Sequence, residues 1–98
     1  MLRAHAVTLA EARSHIAALA DRSQTLDASV EYERALLRLD WIHGDDLPGI
    51  NPVPTGDLDA LFRTAESAVE ALVAHGIDAL QIELVLDVLC VARDKGAV

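Results

Sequence analysis

Aromatic side chains are almost missing from this sequence, which has one Phe, one Tyr and one Trp in 98 residues. The 52% hydrophobic content must therefore be built from Leu, Ala, Val and Ile, a composition that suits closely packed helices better than a β-sandwich. Cysteine is as scarce. Cys90 has no second cysteine to pair with and falls in an apolar segment, where it reads as a small buried hydrophobe in a reducing cytoplasm. No glycine-rich phosphate loop occurs, and Ser14, Ser23, Ser29 and Ser67 have no nucleophile-elbow or triad context. No apolar run is long enough for a membrane span, because Gln81, Glu83 and Asp87 interrupt the longest one. Residues 1–8 contain Arg3 but no apolar core, which argues against a cleaved signal peptide. The expectation is a soluble, cytoplasmic chain forming a single helical domain over residues 1–98.

Basic residues are outnumbered, 8 Lys and Arg against 16 Asp and Glu, for a net charge of −8. The imbalance is local. Over residues 1–39, Glu11, Asp21, Asp27, Glu31 and Glu33 are matched by Arg3, Arg13, Arg22, Arg34 and Arg38. Residues 40–59 hold Asp40, Asp45, Asp46, Asp57 and Asp59 with no Lys or Arg. This acidic stretch repels a phosphate backbone, which excludes ordinary nucleic-acid binding and leaves room for a basic protein partner.

What is present is helical periodicity. Thr8-x-x-Glu11 has the form of a capping box and predicts a helix over residues 8–22, with Leu9, Ala12, Ile16, Leu19 and Ala20 on one face. Glu11, Ser14, His15 and Arg22 lie away from that face. A second helix is expected over 25–42, capped by Thr25 or Asp27. It carries two apolar stripes, Leu26, Val30, Leu37 and Trp41 in the first and Ala28, Tyr32, Ala35, Leu36, Leu39 and Ile42 in the second. Residues 43–56 are broken by Gly44, Pro48, Gly49, Pro52, Pro54 and Gly56 into a long loop. A third helix over 57–75, capped by Asp57 or Thr55, aligns Leu58, Leu61, Phe62, Ala65, Val69, Leu72 and Val73, and Gly76 suits its left-handed end. Asp78-x-x-Gln81 opens a fourth helix over 78–94, with Gly96 after it. Leu80, Ile82, Leu84, Leu86, Val88 and Cys90 also alternate as a strand would, but no other segment offers a pairing partner. The fold class is all-α, a small four-helix bundle with one long Pro/Gly loop.

The fourth helix is apolar around nearly its whole circumference, which calls for cover on several sides. Together with the two-striped second helix, it points to a non-enzymatic interaction module that self-associates as a two-fold dimer. The interface candidates are Tyr32, Leu36, Leu39, Trp41, Val85, Val88 and Leu89, although Trp41 suits a core role as well. Asp40, Asp45, Asp46, Asp57 and Asp59 form an acidic loop that could face a basic partner. The alternative is a small-molecule- or metal-binding bundle with a pocket under the 43–56 loop, lined by Trp41, Phe62 and Tyr32.

Residue by residue, chemistry is thin. Asp40, His43, Asp45 and Asp46 cluster where the second helix meets the loop, but they match no calcium-loop signature, and turn bonding explains them. Glu11 and His15 stand one helical turn apart as a surface pair. His5 falls in the N-terminal segment before the first helix, and His75 suits a helix C-terminus. Glu33, beside Leu26, Val30 and Leu37, is expected at a helix edge paired with an arginine. No residue is assigned as catalytic, metal-ligating or cofactor-binding, and no cofactor is implied.

Overall fold

A computed structural model describes residues 1–54 and 56–96. It is all-α, with helices α1 (Arg3–Arg22), α2 (Leu26–His43), α3 (Leu58–Ala71), continued by a 3₁₀ turn (Leu72–His75), and α4 (Ala79–Gly96). The described residues contain no strand, so the alternating pattern after Leu80 is a helix. Its one-face core set, Ile82, Val85, Leu89 and Ala92, follows helical spacing.

The ends show which local signals act. Thr25 caps α2 by accepting from the Ala28 N–H at 3.1 Å, and Asp57 caps α3 by accepting from the Asp59 and Ala60 N–H groups. Thr55, the other candidate cap, lies outside the described residues. Asp78 accepts from the Leu80 N–H at 3.2 Å at the start of α4. Thr8 is different. The helix runs back past it to Arg3, and its hydroxyl donates to the Ala4 carbonyl at 3.0 Å, so Thr8 is an interior residue bonding to the preceding turn.

Gly76 ends the 3₁₀ turn at φ 92, with its N–H returned to Leu72 and Val73. A Cβ there meets nothing within 4 Å, so the cost of a side chain is backbone strain alone. Gly76→Ala is expected to destabilise the fold by about 1 kcal/mol, read as a lower denaturation midpoint at unchanged slope. An unchanged midpoint would show that the turn relaxes.

α1 packs on α2 and α3, and α4 packs on the same two, leaving α1/α4 and α2/α3 as the diagonals. Every neighbouring pair is antiparallel. The start of α1, the end of α2 and the 3₁₀ turn meet at one end through His5, His43 and His75. At the other end Thr25 donates to the Lys95 carbonyl, and Phe62 near the start of α3 lies under Arg93 near the end of α4. Small side chains allow close approach, as where Gly96 sits so near Ala28 that an added Cβ would stand 3.3 Å from it. The core is aliphatic, with Leu9, Ile16, Leu19, Leu39, Leu61, Leu72, Ile82 and Leu89 excluded from solvent and, among the described residues, Phe62 and Tyr32 as its aromatics.

Since α2 and α3 are diagonal, the segment joining them must travel the length of the bundle, and it does so along α1. Arg13 donates to the Pro48 carbonyl, Ser14 Oγ accepts from the Asn51 N–H at 2.9 Å, and Arg22 donates to the Val53 carbonyl. The polar side of α1 is therefore covered around Arg13 and Ser14, while Glu11 and Arg22 remain exposed. Ser14 and Arg13 are buried, the latter with 9% of its surface exposed. Arg13 also grips Asp40 through two bonds, Nε to Oδ1 at 2.8 Å and Nη2 to Oδ2 at 3.2 Å. Among the described residues no buried side-chain polar atom lacks a partner.

Candidate functional site

The largest unfilled demand of this fold is on the outward side of α2 and α4. On α2 the stripe Leu26, Val30, Leu37 and Trp41 points away from the core, with Leu26 and Trp41 each 79% and Leu37 67% exposed. The second stripe, centred on Ala28, Tyr32, Ala35 and Leu39, is the buried one. Both stripes exist, and one helix cannot turn both toward a single four-helix core. On α4, which lies antiparallel beside α2, Leu80, Leu84 and Val91 are exposed and Val88 is half-buried. Val88 closes a shallow groove of about 650 Å³ with Arg34, Leu37, Arg38 and Trp41. Apolar side chains from two adjacent helices thus share one side of the molecule. Among the described residues, the other exposed large apolar side chains lie at and just before the start of α1, in the loop and in the 3₁₀ turn.

Charge is mixed on this side. Arg34 pairs with Glu31 at 3.0 Å, while Arg38 is exposed and makes no ion pair among the described residues. Glu33, Glu83 and Asp87 are exposed on the same two helices. Glu33 is not at a buried edge, because its neighbours Leu26, Val30 and Leu37 themselves face solvent.

Several sequence-level candidates are placed elsewhere. Tyr32, Leu39, Val85 and Leu89 lie inside the chain's own core, at 5% exposure or less, so they have no free surface to offer a partner. Leu36 and Val88 are half-buried, and Trp41 is exposed instead of filling the core. The helical period identifies the apolar positions, but both stripes of α2 satisfy it equally, and only the positions of α1 and α4 decide which is covered.

The five aspartates do not form one acidic loop. Asp40 belongs to α2 and is held by Arg13, Asp45 and Asp46 follow at that end, and Asp57 and Asp59 cap and begin α3 at the opposite end. The set Asp40, His43, Asp45 and Asp46 does not converge either, with Asp40 committed to Arg13 and His43 turned toward His5. The pocket expected under the loop is not enclosed, since the loop lies along α1. Tyr32 and Phe62 instead line a cleft of about 180 Å³ at the end where Arg93 lies 4.4 Å over the Phe62 ring, and Trp41 takes no part in it. That volume is below the usual range for a small-molecule site. Burial pushes the Tyr32 hydroxyl above its ordinary pKa, with Arg93 pulling the other way. Cys90 is half-buried and unpaired.

One group of residues was not legible as a cluster. His5, placed before the first helix by the sequence, is on α1, and it meets His43 and His75. His5 Nε2 and His43 Nε2 are 3.2 Å apart, and the His5 and His75 rings are parallel with centroids 5.2 Å apart. Burial, reinforced by the His43 and His75 rings, lowers the His5 pKa. Among the described residues no three ligating side chains form a ready-made metal cage. His15 stands apart, its Nδ1 bonded to the Glu11 carbonyl at 2.8 Å and not to the Glu11 carboxylate. The missed signal was topological: in an antiparallel bundle the start of the first helix shares an end with the finish of the second.

Comparison with protein-family models, with curated proteins and with solved structures finds no match. Among the described residues no helix is long and apolar enough to cross a membrane.

Proposed function

We propose that this protein is a non-enzymatic helical interaction module of the cytoplasm that pairs with a second copy of itself through the outer side of α2 and α4. The observation that carries the reading is the run of outward apolar side chains, Leu26, Val30, Leu37 and Trp41 beside Leu80, Leu84 and Val91. Single exposed apolar residues are normal on any protein, but two aligned stripes on adjacent helices form the kind of patch that marks a protein contact. An exposed Trp at such a place is a typical anchor.

Two arguments favour a second copy over an unrelated partner. Both charge signs are present on α2 and α4, Arg34 and Arg38 against Glu33, Glu83 and Asp87. A two-fold axis through the patch can set each copy's arginines against the other's carboxylates, as a self-complementary contact requires. Size also fits. The 39 × 28 × 21 Å body is long enough along its helices to contain a patch of about 800 Å², the area per partner of a standard stable interface.

Light scattering on a size-exclusion column tests this directly. Between about 1 μM and 1 mM, the range of ordinary dimer affinities, the chain should pass from monomer to twice its 10.5 kDa mass. Leu37→Asp, which plants a charge in the middle of the patch, should remain monomeric throughout, with the helical signal and melting temperature of the dilute wild-type chain. A wild-type chain that stays monomeric at the highest concentration rules the dimer out.

A further inference from the structure

The His5–His43 pair has a geometry that its surroundings do not require. His43 Nδ1 lies 2.9 Å from the Leu39 carbonyl, which can only accept, so Nδ1 carries the proton and Nε2 bears a lone pair. A ligating imidazole is held in this tautomer when its other nitrogen donates to a backbone carbonyl. That Nε2 faces His5 Nε2 at 3.2 Å. In the neutral protein one proton bridges the two nitrogens. Two nitrogens at this separation, each about 2.0–2.1 Å from a shared ion, subtend roughly 100° at it, close to the tetrahedral angle of zinc sites. For His5 to ligate through Nε2, its proton moves to Nδ1, so that both rings are neutral Nδ1–H tautomers with their Nε2 lone pairs free for the ion.

We infer that His5 and His43 form an open two-imidazole site for a borderline divalent transition ion such as Zn²⁺, with solvent completing the coordination. Imidazole nitrogen selects this class of ion over calcium or magnesium. His75 stands beside the pair. Thr8 spends its single hydroxyl proton on the Ala4 carbonyl, so the 3.4 Å contact with His75 Nε2 is a donation from the ring, which leaves His75 Nδ1 with a lone pair. A side-chain rotation of His75 can then add a third nitrogen. The site links α1 to the end of α2, two elements whose ligands are 38 residues apart, so a bound ion ties the N-terminal turn of α1 to the bundle.

The test is thermal unfolding of the whole chain with Zn²⁺ as the only additive, after removal of any carried metal with a chelator. Zn²⁺ should raise the melting temperature at neutral pH. His5→Gln and His43→Gln should each weaken binding about tenfold or more, whereas His15→Gln, outside the cluster, leaves it unchanged. Imidazole nitrogen NMR of the wild type provides a reading that needs no variant: Zn²⁺ should move the Nε2 signals of His5 and His43 and leave His15 in place. The inference is overturned by an unmoved wild-type melting temperature, by a Zn²⁺ dependence of the shift that is unchanged on loss of either His5 or His43, or by NMR changes centred on His15.

Discussion

Replacing Arg13 with methionine should lower the unfolding free energy by about 3–5 kcal/mol, the range measured when one member of a buried ion pair is removed. Arg13 has the largest polar role in the fold. Its guanidinium holds both oxygens of Asp40 on α2 and the Pro48 carbonyl of the loop, with only 11% of its side chain and 21% of that of Asp40 exposed. Methionine fills similar space and keeps the aliphatic packing, but it leaves the carboxylate half-buried without a counter-charge and the carbonyl without its donor. The loss should appear as a lower denaturant midpoint. The companion variant Arg13→Met/Asp40→Leu should recover much of it, because the uncompensated charge is then gone. A single-variant cost under about 1 kcal/mol would place the pair among ordinary surface bridges and show that water reaches it.

The second large effect separates core from surface on one helix. Leu89 is fully buried and Leu84, five residues earlier on α4, is exposed. Leu89→Ala should cost about 2–5 kcal/mol through lost burial and the cavity left behind. Leu84→Ala should stay within about 0.5 kcal/mol when measured on dilute, monomeric protein. The Leu89 loss should be independent of protein concentration, since the residue packs inside its own chain, whereas a concentration-dependent loss would mean that Leu89 lies between copies. Equal costs for the two would contradict the orientation of α4.

These two predictions mark what could be read from the residues and what could not. The four helices, the Thr25 and Asp57 caps and the left-handed Gly76 follow from spacing and local chemistry. Local chemistry also misled at Thr8, where the same hydroxyl that can cap a helix serves inside one. The apolar girth of α4 suggested burial on several sides, yet only Ile82, Val85, Leu89 and Ala92 are buried. The reverse occurred on α1. Ser14, one of the polar residues set away from its predicted core face, is nevertheless covered, along with Arg13. Neither outcome is encoded in hydropathy. Each depends on where the segment joining α2 and α3 runs, and that path is set by hydrogen bonds between side chains and backbone N–H and C=O groups far apart in sequence. The histidine cluster failed for a related reason: it needs the direction of every helix, not the pattern of any one.

The crossing of that segment along α1 has a consequence for how the chain assembles. α1 with α2, and α3 with α4, are hairpins of sequence neighbours that each expose half of an aliphatic core. Neither half can bury its surface without the other, and α1 on α3 and α2 on α4 pack more closely than α3 on α4, so the core is completed only when the two halves dock. The connecting segment acts as a tether in that event, keeping the second half at an effective concentration on the order of millimolar around the first. Its anchoring to Arg13, Ser14 and Arg22 then removes the slack, turning a flexible leash into a fixed strap once the halves have met.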